Sequence, residues 1–338
     1  MVMQDGGTVD VRPGADPVRA APEHSGAYLA AGLCLVLYGG ALLAWTLYGI
    51  AQGEGTGWDF VEGLFNPGAS PAPQALGPYE WAFTVAFLAV GGLSLAQRRA
   101  ARSGALLCAF LLLAVSLREG VGLFNAAYRD QYSNDPLGGW ALATRGLGLL
   151  TALVVLTVLS PATERPDGSA PSPAPGFEPR RRRLFRICGV LFLITAAART
   201  GWTVWDLASS NMGTGRYLRG AFDGSFLSTL DLSASPEFTN VSSVLVLLVL
   251  GVIALRGRRD IRGALLLFAA VELYLTVRTV VWLAVTDFFS LSSETVEGAT
   301  SVATTAYELA AMTSVVLLVT GRSFGAPDRS PAISASAS

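Results

Sequence analysis

The chain has 338 residues, of which 51% are hydrophobic and 14% are charged, and its formal net charge is −1. A soluble domain carries about a quarter charged residues, so this balance excludes an ordinary soluble globular protein, and nothing in it calls for a nucleic-acid partner. Long apolar runs along the whole length place the chain among integral membrane proteins.

All 24 basic residues are arginine. The arginine-only usage fits the codon bias of a GC-rich, bacterial coding sequence more simply than a demand for guanidinium chemistry. Cys34, Cys108 and Cys188 all lie in apolar segments and form no CxxC pair, so neither disulfides nor thiolate metal sites are expected. The only histidine, His24, is in a polar tail. No metal, haem or other cofactor is therefore expected.

In chain order, residues 1–26 are polar and rich in Gly and Pro, which predicts a disordered cytoplasmic tail and not a signal peptide. Eight apolar segments follow, at 27–50, 79–97, 103–126, 138–160, 184–206, 239–256, 262–286 and 299–321. At about 1.5 Å per residue each can cross a hydrocarbon core roughly 30 Å thick. In lipid the backbone must satisfy its own hydrogen bonds, so these segments predict helices. The expected fold is an all-α integral membrane protein with eight transmembrane helices. Residues 322–338 read as a second disordered cytoplasmic tail.

The stretch from Arg98 to Arg118 recurs 160 positions later without a gap. Arg98, Arg99, Arg102, Leu106, Leu107, Ala109, Leu113 and Arg118 return as Arg258, Arg259, Arg262, Leu266, Leu267, Ala269, Leu273 and Arg278. Arginine deep inside apolar sequence is rare, so the Arg118/Arg278 match is informative. Gly32, Trp45 and Thr46 of the first segment likewise match Gly189, Trp202 and Thr203 of the fifth. These matches predict a 4+4 internal repeat, 27–160 and 184–321, joined by a Pro-, Ser- and Arg-rich cytoplasmic linker at 161–183. An even number of spans per unit makes the two copies parallel, with the same orientation.

Loop charge sets that orientation. Arg98, Arg99 and Arg102, the run Arg180 to Arg183, and Arg256 to Arg262 are expected on the cytoplasmic side. The opposite loops hold few arginines, and all seven tryptophans map to their end of the helices. The expected location is the cell membrane, multi-pass, with both termini cytoplasmic. Trp58, Phe60, Val61, Leu64 and Phe65, and Tyr217, Leu218, Ala221 and Phe222, fall near helical spacing and predict short helices on the outer leaflet.

Charges inside a span cost several kcal/mol unless they are paired or line a wet cavity. Arg118, Arg145, Arg199 and Arg278 reach a similar depth in the outer half from four different helices. Glu119, Glu272 and Glu308 are the deep acidic residues, with Glu80 and Asp206 nearer the rim. Helical spacing places Thr195, Arg199, Thr203 and Asp206 on one face, and Arg118 and Asn125 on another. The candidate ligand-binding residues are thus Arg118, Glu119, Arg145, Arg199, Glu272, Arg278 and Glu308. They suit an anionic small molecule or lipid headgroup. The alternative is structural pairing, for example Arg199 with Glu308 and Arg278 with Glu272.

No phosphate loop, dinucleotide fingerprint, zinc helix or nucleophile elbow is present, and no catalytic residue is assigned. Three functions remain: a small carrier or ligand-binding protein, a non-catalytic scaffold or accessory subunit with a membrane protein partner, and an enzyme acting on a lipid-linked substrate. The carrier requires the charges to converge on one cavity; the scaffold requires them closed in pairs.

Overall fold

The computed structural model describes residues 19–52, 57–67, 76–162, 177–209, 213–227, 232–257, 261–286, 288 and 294–321, with side chains except at 177–181 and 227. Most of the tail 1–26, the middle of the linker and the tail from 322 onward lie outside the described residues. Among the described residues there is no strand. Arg19 and Arg98 form one isolated antiparallel bridge.

The helices are α1 (Ser25–Gln52), α2 (Gly57–Phe65), α3 (Pro78–Leu95), α4 (Ala101–Gly122), α5 (Ala126–Asn134), α6 (Gly138–Leu159), α7 (Phe177–Ser209), α8 (Thr214–Phe222), α9 (Pro236–Arg256), α10 (Arg262–Val285) and α11 (Val296–Thr320). Seven of them, α1, α4, α6, α7, α9, α10 and α11, are long and apolar enough to cross a membrane. The protein is therefore a multi-pass helical membrane protein in contact with the bilayer. The eighth long helix, α3, has 18 residues and opens with Pro78, Tyr79, Glu80 and Trp81, which lower its mean hydropathy and leave it outside that set.

Local chemistry sets several ends. Ser235 caps α9 by accepting from the Phe238 amide at 3.2 Å, and Pro236 follows at the first helical position, where its missing N–H costs nothing. The same helix ends on Gly257, whose φ of 60° is a left-handed conformation open to glycine. Thr295 caps α11 through the Gly298 amide at 3.0 Å.

Two boundaries differ from the sequence reading. The third apolar segment stops being helical at Gly122, and Asn125 instead caps the separate helix α5, accepting from the Ala127 amide at 3.1 Å. Asn125 therefore does not share a face of one helix with Arg118. In turn, α7 begins at Phe177, inside the stretch read as linker, because Phe177 and the arginines after it continue the helix that hydropathy detects only from 184.

The helices pack as two similar groups. In one, α1 lies on α3 and α6, and α4 lies on α6; in the other, α7 lies on α9 and α11, and α10 lies on α11. The groups meet where α10 crosses α4 and α3. Several contacts occur in both. Trp45 Nε1 donates to Thr144 Oγ1 at 2.9 Å, as Trp202 Nε1 does to Thr304 Oγ1 at 3.1 Å. Arg102 Nε donates to the Leu159 carbonyl, and Arg262 Nε to the Val319 carbonyl, both at 3.1 Å. Gly32 meets Gly91 where α1 crosses α3, and Gly189 meets Gly251 where α7 crosses α9.

Candidate functional site

The seven candidate residues fall in three places. The first is built by α7, α9, α10 and α11. Arg199 forks onto Glu308, with Nε to Oε1 at 3.0 Å and Nη2 to Oε2 at 3.2 Å. Its Nη1 donates to Ser243 Oγ at 2.7 Å, and Ser243 in turn donates to Glu272 Oε1. Arg199 Nη2 also lies 2.6 Å from Glu272 Oε2, within ion-pair distance. Glu272 is fully buried, whereas 20% of the Arg199 side chain and 17% of Glu308 are exposed. One guanidinium thus closes two carboxylates, and a bidentate fork is the strongest geometry available to it.

Thr203, one turn beyond Arg199, accepts from Asn240 Nδ2 at 2.7 Å, and the same amide reaches Tyr217 Oη at 2.9 Å. Asp206 ends this stripe on the exposed surface.

The second place joins Arg118, Glu119 and Arg145. Glu119 Oε1 lies 3.8 Å from Arg118 Nη1 and 3.6 Å from Arg145 Nη2. Its other oxygen accepts from Tyr128 at 3.2 Å and Tyr132 at 3.5 Å. Burial, and then the adjacent Glu119 charge, push the Tyr128 hydroxyl above its ordinary pKa, so it remains a donor. Helix α8 and the stretch before α9 lie over this cluster. Arg118 Nη2 donates to the Gly220 carbonyl at 3.5 Å, and Arg145 Nη2 donates to the Leu232 carbonyl at 3.0 Å. The Arg118 guanidinium also stands 5.3 Å from the Phe238 ring centroid, close enough for a cation–π contact.

Beside this cluster lies a partly open cavity of about 50 Å³, with Tyr38, Glu80, Phe83, Leu112, Arg145 and Phe238 in its wall. Glu80 Oε1 accepts from the Ala234 amide at 2.7 Å. Of the seven candidates, only Arg145 lines this cavity.

Arg278 is the third place. Its Nη2 donates to the Gly63 carbonyl at 3.4 Å, and its Nε is buried without an acceptor. Next to it, Tyr274 donates to the Leu64 carbonyl at 2.7 Å. Glu272 is held by Arg199 and not by Arg278.

Sequence reasoning missed Ser243, Tyr128 and Tyr132. A hydroxyl among the apolar residues of α9 and a Tyr pair at helical spacing were the signals available. Among the described residues no group of His, Cys, Asp and Glu could hold a metal ion. Comparison with known protein families, curated proteins and solved structures finds no significant match to this chain.

Proposed function

We propose that this protein is a non-catalytic membrane scaffold or accessory subunit, built as two parallel four-helix halves with α3 as an eighth span. The observation that carries this reading is the closure of Arg199 between Glu308 and Glu272 by four short contacts. A carrier would leave such groups facing a shared cavity, whereas here they hold α7, α9, α10 and α11 together. The same contacts tie up Glu272 and Glu308, the acid–base candidates that an enzyme would need free.

The repeat is supported by the paired contacts of Trp45 and Trp202, Arg102 and Arg262, and Gly32 and Gly189. In that correspondence Arg199, Ser243, Glu272 and Glu308 match Leu42, Phe83, Leu112 and Gly148. One half is locked by charge where the other is apolar. The excess of arginine at the end carrying Arg102 and Arg262 supports a cytoplasmic position for that end and for both termini.

The partner would meet the apolar outer surface, where Leu47, Leu150 and Leu317 are 67%, 57% and 65% exposed. The test is a photo-crosslinking residue at each of these positions in native membranes. A discrete adduct with another integral membrane protein supports the scaffold; adducts with lipid alone at all three overturn it.

The cavity beside Arg145 favours a second reading, a ligand-binding protein. Leu112→Phe fills that cavity. Loss of a ligand-induced thermal shift in this variant, with crosslinking unchanged, would favour the second reading.

A further inference from the structure

Arg118, Arg145 and Arg199 each lie against at least one carboxylate. Arg278 does not: among the described residues no carboxylate comes within ion-pair distance. The residue after Arg118 is Glu119, whereas the residue after Arg278 is Thr279, whose hydroxyl donates to the Leu275 carbonyl within its own helix at 3.1 Å. The two arginines match in sequence and differ in compensation.

Among the described residues the Arg278 guanidinium has one acceptor, the Gly63 carbonyl, and its Nε is enclosed without one. A buried donor left unmade is costly, more so when charged, and an unpaired cation in a span is costlier still. An oxyanion from outside the chain, reaching the partly exposed guanidinium of Arg278, would supply the compensation that the described residues do not.

The surroundings indicate its source. Arg278 lies under α2, whose Trp58, Val61 and Phe65 are 73%, 41% and 48% exposed. A short helix with its apolar side chains uncovered, next to the outer part of a spanning helix, is arranged to lie at a membrane surface. The anions concentrated there are phosphodiesters, and a planar guanidinium fork matches phosphate oxygens.

We propose that Arg278, beside the carbonyl end of α2, binds the phosphate of a phospholipid in the leaflet that α2 faces. The site is independent of the scaffold reading, since it needs no protein partner. Tyr274, one turn back on the same face, already donates to the Leu64 carbonyl, so among the described residues Arg278 alone supplies the charge for the phosphate.

The experiment is native mass spectrometry of the full chain in mild detergent, delipidated and titrated with phosphatidylglycerol. Wild type should hold one lipid tightly. Arg278→Gln should weaken that binding roughly tenfold, equivalent to about 1.4 kcal/mol. Thr279→Glu supplies internally the carboxylate that Arg118 already has, and should weaken it similarly without removing the arginine. Should Arg278→Gln fail to fold, Thr279→Glu carries the test. Arg216→Gln, at an exposed arginine of α8, should leave the tight site unchanged. Diacylglycerol, which lacks the phosphate, should not occupy it. Competition by millimolar inorganic phosphate would overturn the lipid as the source, and equal phosphatidylglycerol binding by wild type and Thr279→Glu would overturn the site.

Discussion

Arg118 of α4 and Arg278 of α10 each donate to a glycine carbonyl on a short helix drawn from the other half of the chain. Arg118 reaches Gly220 of α8 at 3.5 Å, and Arg278 reaches Gly63 of α2 at 3.4 Å. Each half thus holds down the short surface helix of the other. The exchange ties the halves together at the end opposite the arginine-rich loops, while α4 and α10 join them through the middle.

The two arginines should respond differently to removal. Arg118 and Glu119 are 3% and 5% exposed, and Arg118→Met leaves a buried carboxylate with Arg145 as its only cation among the described residues. Breaking a buried pair costs about 3–5 kcal/mol. Arg278→Met orphans no carboxylate among the described residues and should cost markedly less. Thermal unfolding of both variants in the same detergent checks the order; equal losses would contradict it.

The Arg199 cluster gives a prediction of opposite sign for single and combined changes. Arg199→Leu alone strands Glu272 and Glu308 and should cost about 3–5 kcal/mol. Combining it with Ser243→Phe, Glu272→Leu, Glu308→Gly and Thr195→Tyr installs the residues at the positions matched in the proposed repeat, where a Cβ built on Gly148 would lie 3.0 Å from the Tyr38 ring. That combination should recover most of the loss, because an apolar set of similar volume replaces a buried ion cluster at little net cost. Unfolding midpoints of the single and combined variants decide it. A combined variant no better than Arg199→Leu would show that the two halves are not interchangeable at this layer.

The spans were legible in the sequence because hydropathy and length alone decide them, and α3 fell short because Glu80 and its neighbours share its first turn. The Arg118/Arg278 correspondence, on which the proposed repeat rests, could be drawn from sequence because arginine in an apolar helix is unusual enough to align by. Pairing was legible only in part. Arg199 with Glu308 followed from two charges at similar depth, but depth cannot tell that Glu272 turns to α7 and not to Arg278. That choice depends on helix rotation and on Ser243, a small hydroxyl with no distinguishing pattern. Helix α5 escaped because it is short and polar, although Asn125 ahead of Ala-Ala-Tyr is a capping signal in hindsight.

Acid should loosen the segment that covers Arg118. Burial pushes the Asp223 carboxyl up, but donation from the Ser225 hydroxyl at 2.7 Å, the Ser225 amide at 2.9 Å and Arg219 outweighs it, holding the group below its ordinary 3.8. A depressed folded pKa means the stabilisation is complete above pH 3.8 and is lost as pH falls through the lower folded value. Asp223→Asn lacks this contribution at every pH. Wild type should therefore unfold at a higher temperature than Asp223→Asn near neutrality, and the gap should close below pH 3.8. A constant gap across that range would mean that Asp223 does not titrate against folding.

The close helix crossings supply the last prediction. A Cβ on Gly32 would lie 2.9 Å from the Gly91 carbonyl oxygen and the Leu95 nitrogen, and one on Gly189 would lie 2.8 Å from the Gly251 carbonyl oxygen. These neighbours are backbone, so they cannot turn aside as a side chain would. The helices must separate, and overpacking of this kind costs about 1–3 kcal/mol. Gly40 lies on the same helix as Gly32 with nothing within 4 Å of its Cβ position, and alanine there gains roughly 1 kcal/mol of helix propensity. Gly32→Ala and Gly189→Ala should thus lower the unfolding temperature by similar amounts, while Gly40→Ala leaves it unchanged or raises it. Similar losses at Gly32 and Gly189 follow if α1–α3 and α7–α9 are copies of one crossing; a loss at only one would show that the crossings have diverged in mechanics as well as in sequence.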